Sequence, residues 1–275
     1  MRRIAAKYLY VNADFTPIHD GFVELDDNGV VLKTGKSEDI SSEKEYYDGA
    51  VVPGFVNAHC HLELSSMRGK FRKGTVMEEF VDQINELRDC TSHEQILEEI
   101  SYWMKTLWNR GVSAMADISN CSDTFAEKST SPMYTRTFLE VFGTEPEDCD
   151  AVMDGVRELK KTADSFGIDA APTPHACYTM SPELLTAVSK EGLKSGFLSF
   201  HSEETQEEED MMISGTGAMY ENRVSAGMSV PPVTGESSLM YFIDRLEKAH
   251  AAPFDEHTLL VHERGMREAG TEDVK

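Results

Sequence analysis

Five of the nine histidines stand where chemistry would need them. His59 and His61 follow the apolar run 51–56, His175 follows 168–173, His201 follows 197–200 and His262 follows 258–261. The other four, His19, His93, His250 and His257, fall in expected loops or at helix ends. One histidine at a strand end is usually a structural residue satisfied by its neighbours. Five at four separate strand ends form a different pattern, because in a (β/α) barrel the C-terminal strand ends converge on the axis and carry the active site. In His59-Cys60-His61 the side chains two apart on an extended chain point to the same side. Both imidazoles can then reach one ion at the Zn–N distance of about 2.0–2.1 Å. His201, ending an apolar strand, is a candidate third ligand. Glu204, three residues later, is placed to carry protons between an activated water and a leaving nitrogen. The acidic run Glu203, Glu204, Glu207, Glu208, Glu209 and Asp210 also suits a helix start, where the macrodipole favours negative charge. Both readings stand for Glu204 at this level.

Positioning such residues requires particular elements. Over 1–50, three short β-type runs, Tyr8-Leu9-Tyr10-Val11, Gly21-Phe22-Val23-Glu24-Leu25 and Val30-Val31-Leu32, alternate with turns at Asn12-Ala13-Asp14, Asp26-Asp27-Asn28-Gly29 and Gly35-Lys36-Ser37. They read as a small β-sandwich-like module. From residue 50 the pattern becomes strand, then helix, repeated. The run 50–56 reads as a buried parallel strand, apolar on both faces, with Pro53 near its start. A helix is expected over 75–89, with Val76, Phe80, Ile84 and Leu87 on one face. A second is expected over 93–110, opened by a Ser92/Gln95 capping box. Strands follow at 112–116, 135–142, 168–173, 197–200 and 258–261, with helices around 150–166 and after Ser181-Pro182. This alternation implies parallel strands joined by right-handed crossovers. No glycine-rich phosphate loop follows the first strand, which disfavours an open dinucleotide-binding sheet. The expected fold is therefore α/β: a (β/α)8 TIM-type barrel over 51–275 with six of its strands present, preceded by the β module.

Composition narrows the function classes. The formal charge of −23 repels phosphate backbones and anionic headgroups, which argues against nucleic-acid and membrane partners. No apolar stretch approaches a membrane span. The N-terminus lacks the apolar run of a secretory signal. Five scattered cysteines without C-x-x-C spacing suggest neither a disulfide framework nor a thiolate zinc site. A cytoplasmic location and a small-molecule substrate are the expectations, and a homo-oligomer is compatible with them.

Val52-Pro53-Gly54-Phe55-Val56-Asn57-Ala58-His59-Cys60-His61 resembles the P-G-F-[IV]-[ND]-x-H-x-H segment of the amidohydrolase superfamily. His201-x-x-Glu204, the strand-end His262 and the segment from Pro174-His175 to Pro182-Glu183-Leu184 resemble its deaminase branch, which includes guanine, adenosine-type and aminofutalosine deaminases and the triazine hydrolases. The resemblance implies His59, His61 and His201 as ligands of a divalent metal, Zn foremost, with Fe and Mn as alternatives. It implies Glu204 as the proton shuttle, His262 beside the hydrolytic water or substrate, and His175 holding the substrate ring. Glu63, facing the same side as His61, is expected to touch substrate. The implied activity is hydrolysis of a carbon–nitrogen non-peptide bond, namely deamination of an aminated heterocycle such as a purine base or a nucleoside like aminofutalosine. Relatives also carry an aspartate at the end of strand eight, and with six strands counted the barrel is expected to be incomplete here. Asp117, just after the second strand, is expected to be a loop or supporting residue rather than its substitute. The rival readings are a chlorohydrolase or amide hydrolase of the same superfamily, a truncated remnant that only binds ligand, and an open α/β protein with coincidental histidines.

Overall fold

The computed structural model describes residues 1–11, 15–39, 43–251 and 255–262, and the chain divides into two compact units, Met1–Phe55 and Val56–Lys275. The expected turn at Asn12-Ala13-Asp14 lies outside the described residues.

The first unit is one four-stranded sheet of β1 (Arg2–Leu9), β2 (Ile18–Leu25), β3 (Val31–Lys36) and β4 (Glu45–Val51), in the order β3-β2-β1-β4. β1 runs antiparallel to β2 and parallel to β4. Between β2 and β3, Asp26 Oδ1 accepts from the backbone N–H of Asn28 and Val30, both at 2.8 Å. Gly29 adopts φ +83° there, which is why the turn carries glycine. Ala5, Ala6, Leu9, Phe22 and Val23 form the buried side of the sheet. His19, expected in a loop, lies in β2 opposite Tyr8, because the strand begins three residues before its apolar run.

The second unit alternates strands and helices. In chain order it contains β5 (Phe55–Cys60), α1 (Met77–Cys90), α2 (His93–Asn109), β6 (Val112–Ser119), α3 (Phe125–Thr130), β7 (Tyr134–Val141), α4 (Cys149–Ser165) and β8 (Asp169–Pro174). It continues with α5 (Pro182–Leu193), β9 (Leu198–Ser202), α6 (Gln206–Glu209), α7 (Ala218–Ser225), α8 (Ser238–Lys248) and β10 (Thr258–His262). β5-β6-β7-β8 form one sheet and β9-β10 another. The β6/β7, β7/β8 and β9/β10 pairs are parallel, as the alternation predicts.

β8 and β9 are joined differently. Pro172 and Pro174 remove two ladder donors from β8. The Thr173 hydroxyl takes over, donating to Ser199 O at 2.6 Å and accepting from Ser199 N at 2.7 Å. One step on, His201 N donates to His175 O at 2.8 Å, so two of the strand-end histidines are tied by backbone.

The core behind these strands holds Leu139, Leu184, Val188, Leu198 and Phe200, with Phe200 stacked on Phe242 of α8 at 4.0 Å. Gly192 lets α5 approach β8: a Cβ there would lie 2.3 Å from Pro172 O. The α2 capping box forms as expected, and Ser181 caps α5 with Pro182 at its first position.

The expectation for the first barrel strand fails. The run 50–56 is not a single buried strand: β4 ends at Val51, β5 begins at Phe55, and Phe55 and Val56 are 60% and 68% exposed. Pro53 and Gly54 break the extended run, so β5 starts later and continues through His59 itself.

Candidate active site

Each candidate side chain is delivered by a strand end or the turn just after it. β5 carries His59, and His61 sits at the entry to the 3-10 turn Leu62–Met67. That turn is anchored from below: Leu62 N donates to Asp117 Oδ1 at 2.7 Å, and Asp117 Oδ2 pairs with Lys128 Nζ at 2.6 Å. Both charged side chains are fully buried, and Ser119 and Thr137 share the Lys128 ammonium. Asp117 is thus a support inside β6, committed to an ion pair. β9 carries His201, β10 ends on His262, and His175 follows β8 with its Nδ1 2.8 Å from Thr179 Oγ1.

The three candidate ligands converge. His59 Nε2 and His201 Nε2 are 3.3 Å apart, and ring nitrogens of His59, His61 and His201 all lie within 4.8 Å of one another. Burial, reinforced by the neighbouring imidazoles, pushes His61 down to about 3 and His201 down to about 2, and lowers His59 as well. All three rings are therefore neutral at physiological pH and present lone pairs. The Nδ1 atoms of His59 and His201 are buried without a hydrogen bond. A cluster of neutral imidazoles with unpartnered buried nitrogens is the donor set that suits a divalent cation of intermediate softness.

Glu204 follows β9 beside this cluster. Its Oε1 lies 2.9 Å from His262 Nε2, and its Oε2 accepts from Tyr178 Oη at 2.6 Å. Burial alone would raise its pKa, but the His262 and Tyr178 hydrogen bonds outweigh it and hold the carboxyl down at about 2. Glu204 is not part of the acidic helix: α6 starts at Gln206 and is capped by Thr205.

The groups surround a cavity of about 840 Å³, inside the usual range for small-molecule sites. His59, His61, His175, His201, His262 and Glu204 line its floor, while Leu64, Phe80, Ile84, Phe142 and Met219 supply apolar walls. Asn85, Arg88, Asn120 and Asn222 add polar groups.

A family model for the amidohydrolase family matches residues 50–265. The chain belongs to the amidohydrolase family. Among curated relatives, 5-methylthioadenosine/S-adenosylhomocysteine deaminase of Nitratidesulfovibrio vulgaris is 27% identical over 181 residues, covering 62% of this chain and 41% of the relative. Among solved structures, Helicobacter pylori aminofutalosine deaminase in complex with methylthio-coformycin superposes with a TM-score of 0.77 at 21% identity, covering 96% of this chain and 64% of that one. An adenosine deaminase from Xanthomonas campestris with bound zinc gives 0.69 at 17% identity, covering 98% and 59%. The chain spans about half the length of the curated relatives it matches. The structural likeness shows the fold: this amidohydrolase chain follows the path of a (β/α) barrel, and among the described residues no pairing closes β10 onto β5.

Within this amidohydrolase unit, five sequence candidates and Glu204 meet at one cavity. Glu63 takes a different place. It is buried, accepts from Asn120 N at 2.8 Å, Cys121 Sγ at 3.3 Å and Arg88 Nη2 at 3.2 Å, and does not line the cavity. Burial raises its pKa. It braces Arg88 and Asn120, which do face the cavity.

Three residues escaped the sequence reading. Glu140 in β7 sits 3.4 Å from His201 Nδ1, without hydrogen-bond alignment, and receives Asn120 Nδ2 at 3.1 Å; burial raises its pKa. A lone carboxylate in the apolar run Phe138-Leu139-Glu140-Val141-Phe142 was the available signal. Tyr178 lay within the deaminase-like segment 174–184, three residues after His175, but was not singled out there. Glu208 was hidden among five other acids.

Proposed function

We propose that this amidohydrolase is a metal-dependent hydrolytic deaminase of an aminated nitrogen heterocycle, a purine-type nucleoside being the substrate class. The observation that carries this reading is Glu204, ionised and held between His262 and Tyr178, beside three neutral imidazoles in one small-molecule cavity. His59, His61 and His201 would hold the metal, with zinc the first candidate. Bound there, a divalent ion supplies the Lewis acidity that makes water nucleophilic near neutral pH.

The chain's own residues do the remaining work. Glu204 accepts a proton from the attacking water and returns it to the ring nitrogen adjacent to the attacked carbon, so negative charge does not build on the heterocycle. His262, paired with Glu204, lies where it can hydrogen-bond the oxygen added to that carbon. Tyr178 donates to the second oxygen of Glu204 and so fixes which oxygen faces the substrate. His175, braced by Thr179, flanks the ring. The apolar walls exclude water and receive the flat face of the heterocycle. The names of the curated relatives support the deaminase reading over a chlorohydrolase one.

The test is metal content together with ammonia release from 5-methylthioadenosine and adenosine. His59→Ala, His61→Ala and His201→Ala should each lose metal by elemental analysis. Glu204→Gln should retain metal and lower kcat about 10²–10⁴-fold, the range for a general acid–base group. Full metal in all three histidine variants, or full kcat in Glu204→Gln, would overturn the assignment.

A further inference from the structure

We infer that Glu208 is a positioning residue for Glu204, its buried carboxylate holding the left-handed turn that aims Glu204 into the cavity. This rests on the proton-transfer role of Glu204 proposed above and adds the device that sets its geometry. β9 ends at Ser202, and the next residue, Glu203, has φ +52°, a conformation that non-glycine residues rarely adopt. Such a backbone persists only when its surroundings over-determine it, and it concentrates at functional sites.

Glu208 provides that determination. Its Oε2 accepts from Glu204 N at 2.8 Å, and its Oε1 accepts from Glu203 N at 3.2 Å. Ser238, at the start of α8, donates its hydroxyl to the same Oε1. Glu208 is itself pinned, since its own N–H donates to Thr205 Oγ1 at 3.2 Å. The side chain is fully buried, and burial pushes the carboxyl up to about 7 against the pull of these hydrogen bonds.

The two-sided pattern explains the residue type. Successive backbone N–H groups reach different oxygens of one carboxyl group. A glutamine offers one accepting oxygen, so either Glu203 N or Glu204 N would face an NH₂ group and lose its partner. A glutamine in the middle of a surface acidic run would cost nothing; here it removes one leg of the turn. The same buried carboxyl reaches α8 through Ser238, so the aim of Glu204 is set jointly by β9, α6 and α8.

The experiment uses the full chain loaded with zinc and two probes, methylthio-coformycin, whose tetrahedral carbon mimics the attacked centre, and 5-methylthioadenosine. Glu208→Gln should weaken methylthio-coformycin binding about 30- to 100-fold while changing 5-methylthioadenosine affinity less than about threefold, because transition-state mimics alone report the alignment of the proton-transfer group. Amide exchange at Glu203 and Glu204 should accelerate about tenfold, with α5 amides unchanged. Ser238→Ala, a gentler loss of one leg, should move both readouts in the same direction by a smaller amount. Unchanged analogue affinity or unchanged exchange in Glu208→Gln would overturn the inference. If the wild-type chain binds neither probe, the deaminase reading fails on that observation, and exchange at Glu203 and Glu204 still decides whether Glu208 holds the turn.

Discussion

The cavity has two unlike walls. The strand-end wall is fully committed: His201 is 3% exposed, Asp117 and Lys128 are sealed together, and Glu204 is held by two side chains and a backbone turn. The wall made by α1 is loosely held. Among its described side chains only Gln83 is buried, while Phe80 and Val81 are 37% and 45% exposed though they line the cavity. Gln83 accepts from Arg72 N, Arg88 reaches Glu63, and Phe80 packs on Phe71 at 5.0 Å, while among the described side chains of the helix Met77 alone packs against a buried apolar cluster. The difference teaches a division of labour. Groups that must meet within tenths of an ångström sit where packing leaves them no alternative, and the α1 face that lines the cavity sits where opening costs little.

The sharpest break would come from the support beneath His61. Lys128→Met leaves Asp117 as an unpaired buried charge and should destabilise the chain by about 3–5 kcal/mol in denaturant unfolding. The double variant Asp117→Asn/Lys128→Met removes both charges, keeps an acceptor for Leu62 N, and should recover at least half of that loss. A neutral result for the single variant would show that the strand-end wall is softer than its burial implies.

A second expectation concerns pH. The Glu208 carboxyl ionises near its ordinary 4.5 in the unfolded chain and near 7 when buried. Between these values the unfolded chain sheds the proton first, so this group's stabilising contribution, complete below 4.5, declines as pH rises and is gone above about 7. The loss is about 3 kcal/mol. Thermal unfolding from pH 5 to pH 8 should show a steeper fall in Tm for the wild type than for Glu208→Gln. Parallel slopes would mean the carboxyl is not perturbed.

The smallest effect belongs to α1. Phe80→Ala should raise KM or the analogue dissociation constant about tenfold, leave kcat within about twofold, and change stability by less than about 1 kcal/mol. Its amides should exchange well before those of α5. If α1 exchanges as slowly as α5, the contrast between the walls is wrong.

The residues that could do chemistry were legible because their signals are local. H-x-H after an apolar run, H-x-x-E after another and single histidines at two more strand ends need only period-two alternation and the rule that strand ends gather function. The helix caps at Ser92 and Ser181 were legible for the same reason, as a cap is a contact between residues three apart. The first barrel strand was misplaced because apolar content was read as burial, whereas Pro53 and Gly54 split the run and left Phe55 and Val56 exposed. Glu63 was read as facing substrate from its register with His61, but the backbone leaves strand geometry at that point for a 3-10 turn, and alternation no longer applies.

By itself, then, the sequence determined the strand–helix alternation and the pieces of chain on which each candidate group rides. The tertiary structure alone decided where each acid is placed. Glu203, Glu204 and Glu208 are near neighbours of one type, yet one carries a left-handed backbone, one faces the histidines and one is buried as the acceptor that holds the other two. Glu140 in β7 was brought beside His201 in β9, and Lys128 in α3 was turned back onto Asp117 in the preceding strand β6. The physical reason is the range of the interactions. Patterning and capping act over a few residues, while desolvation and the partners available to a buried charge are set by whichever strands and helices fold around it.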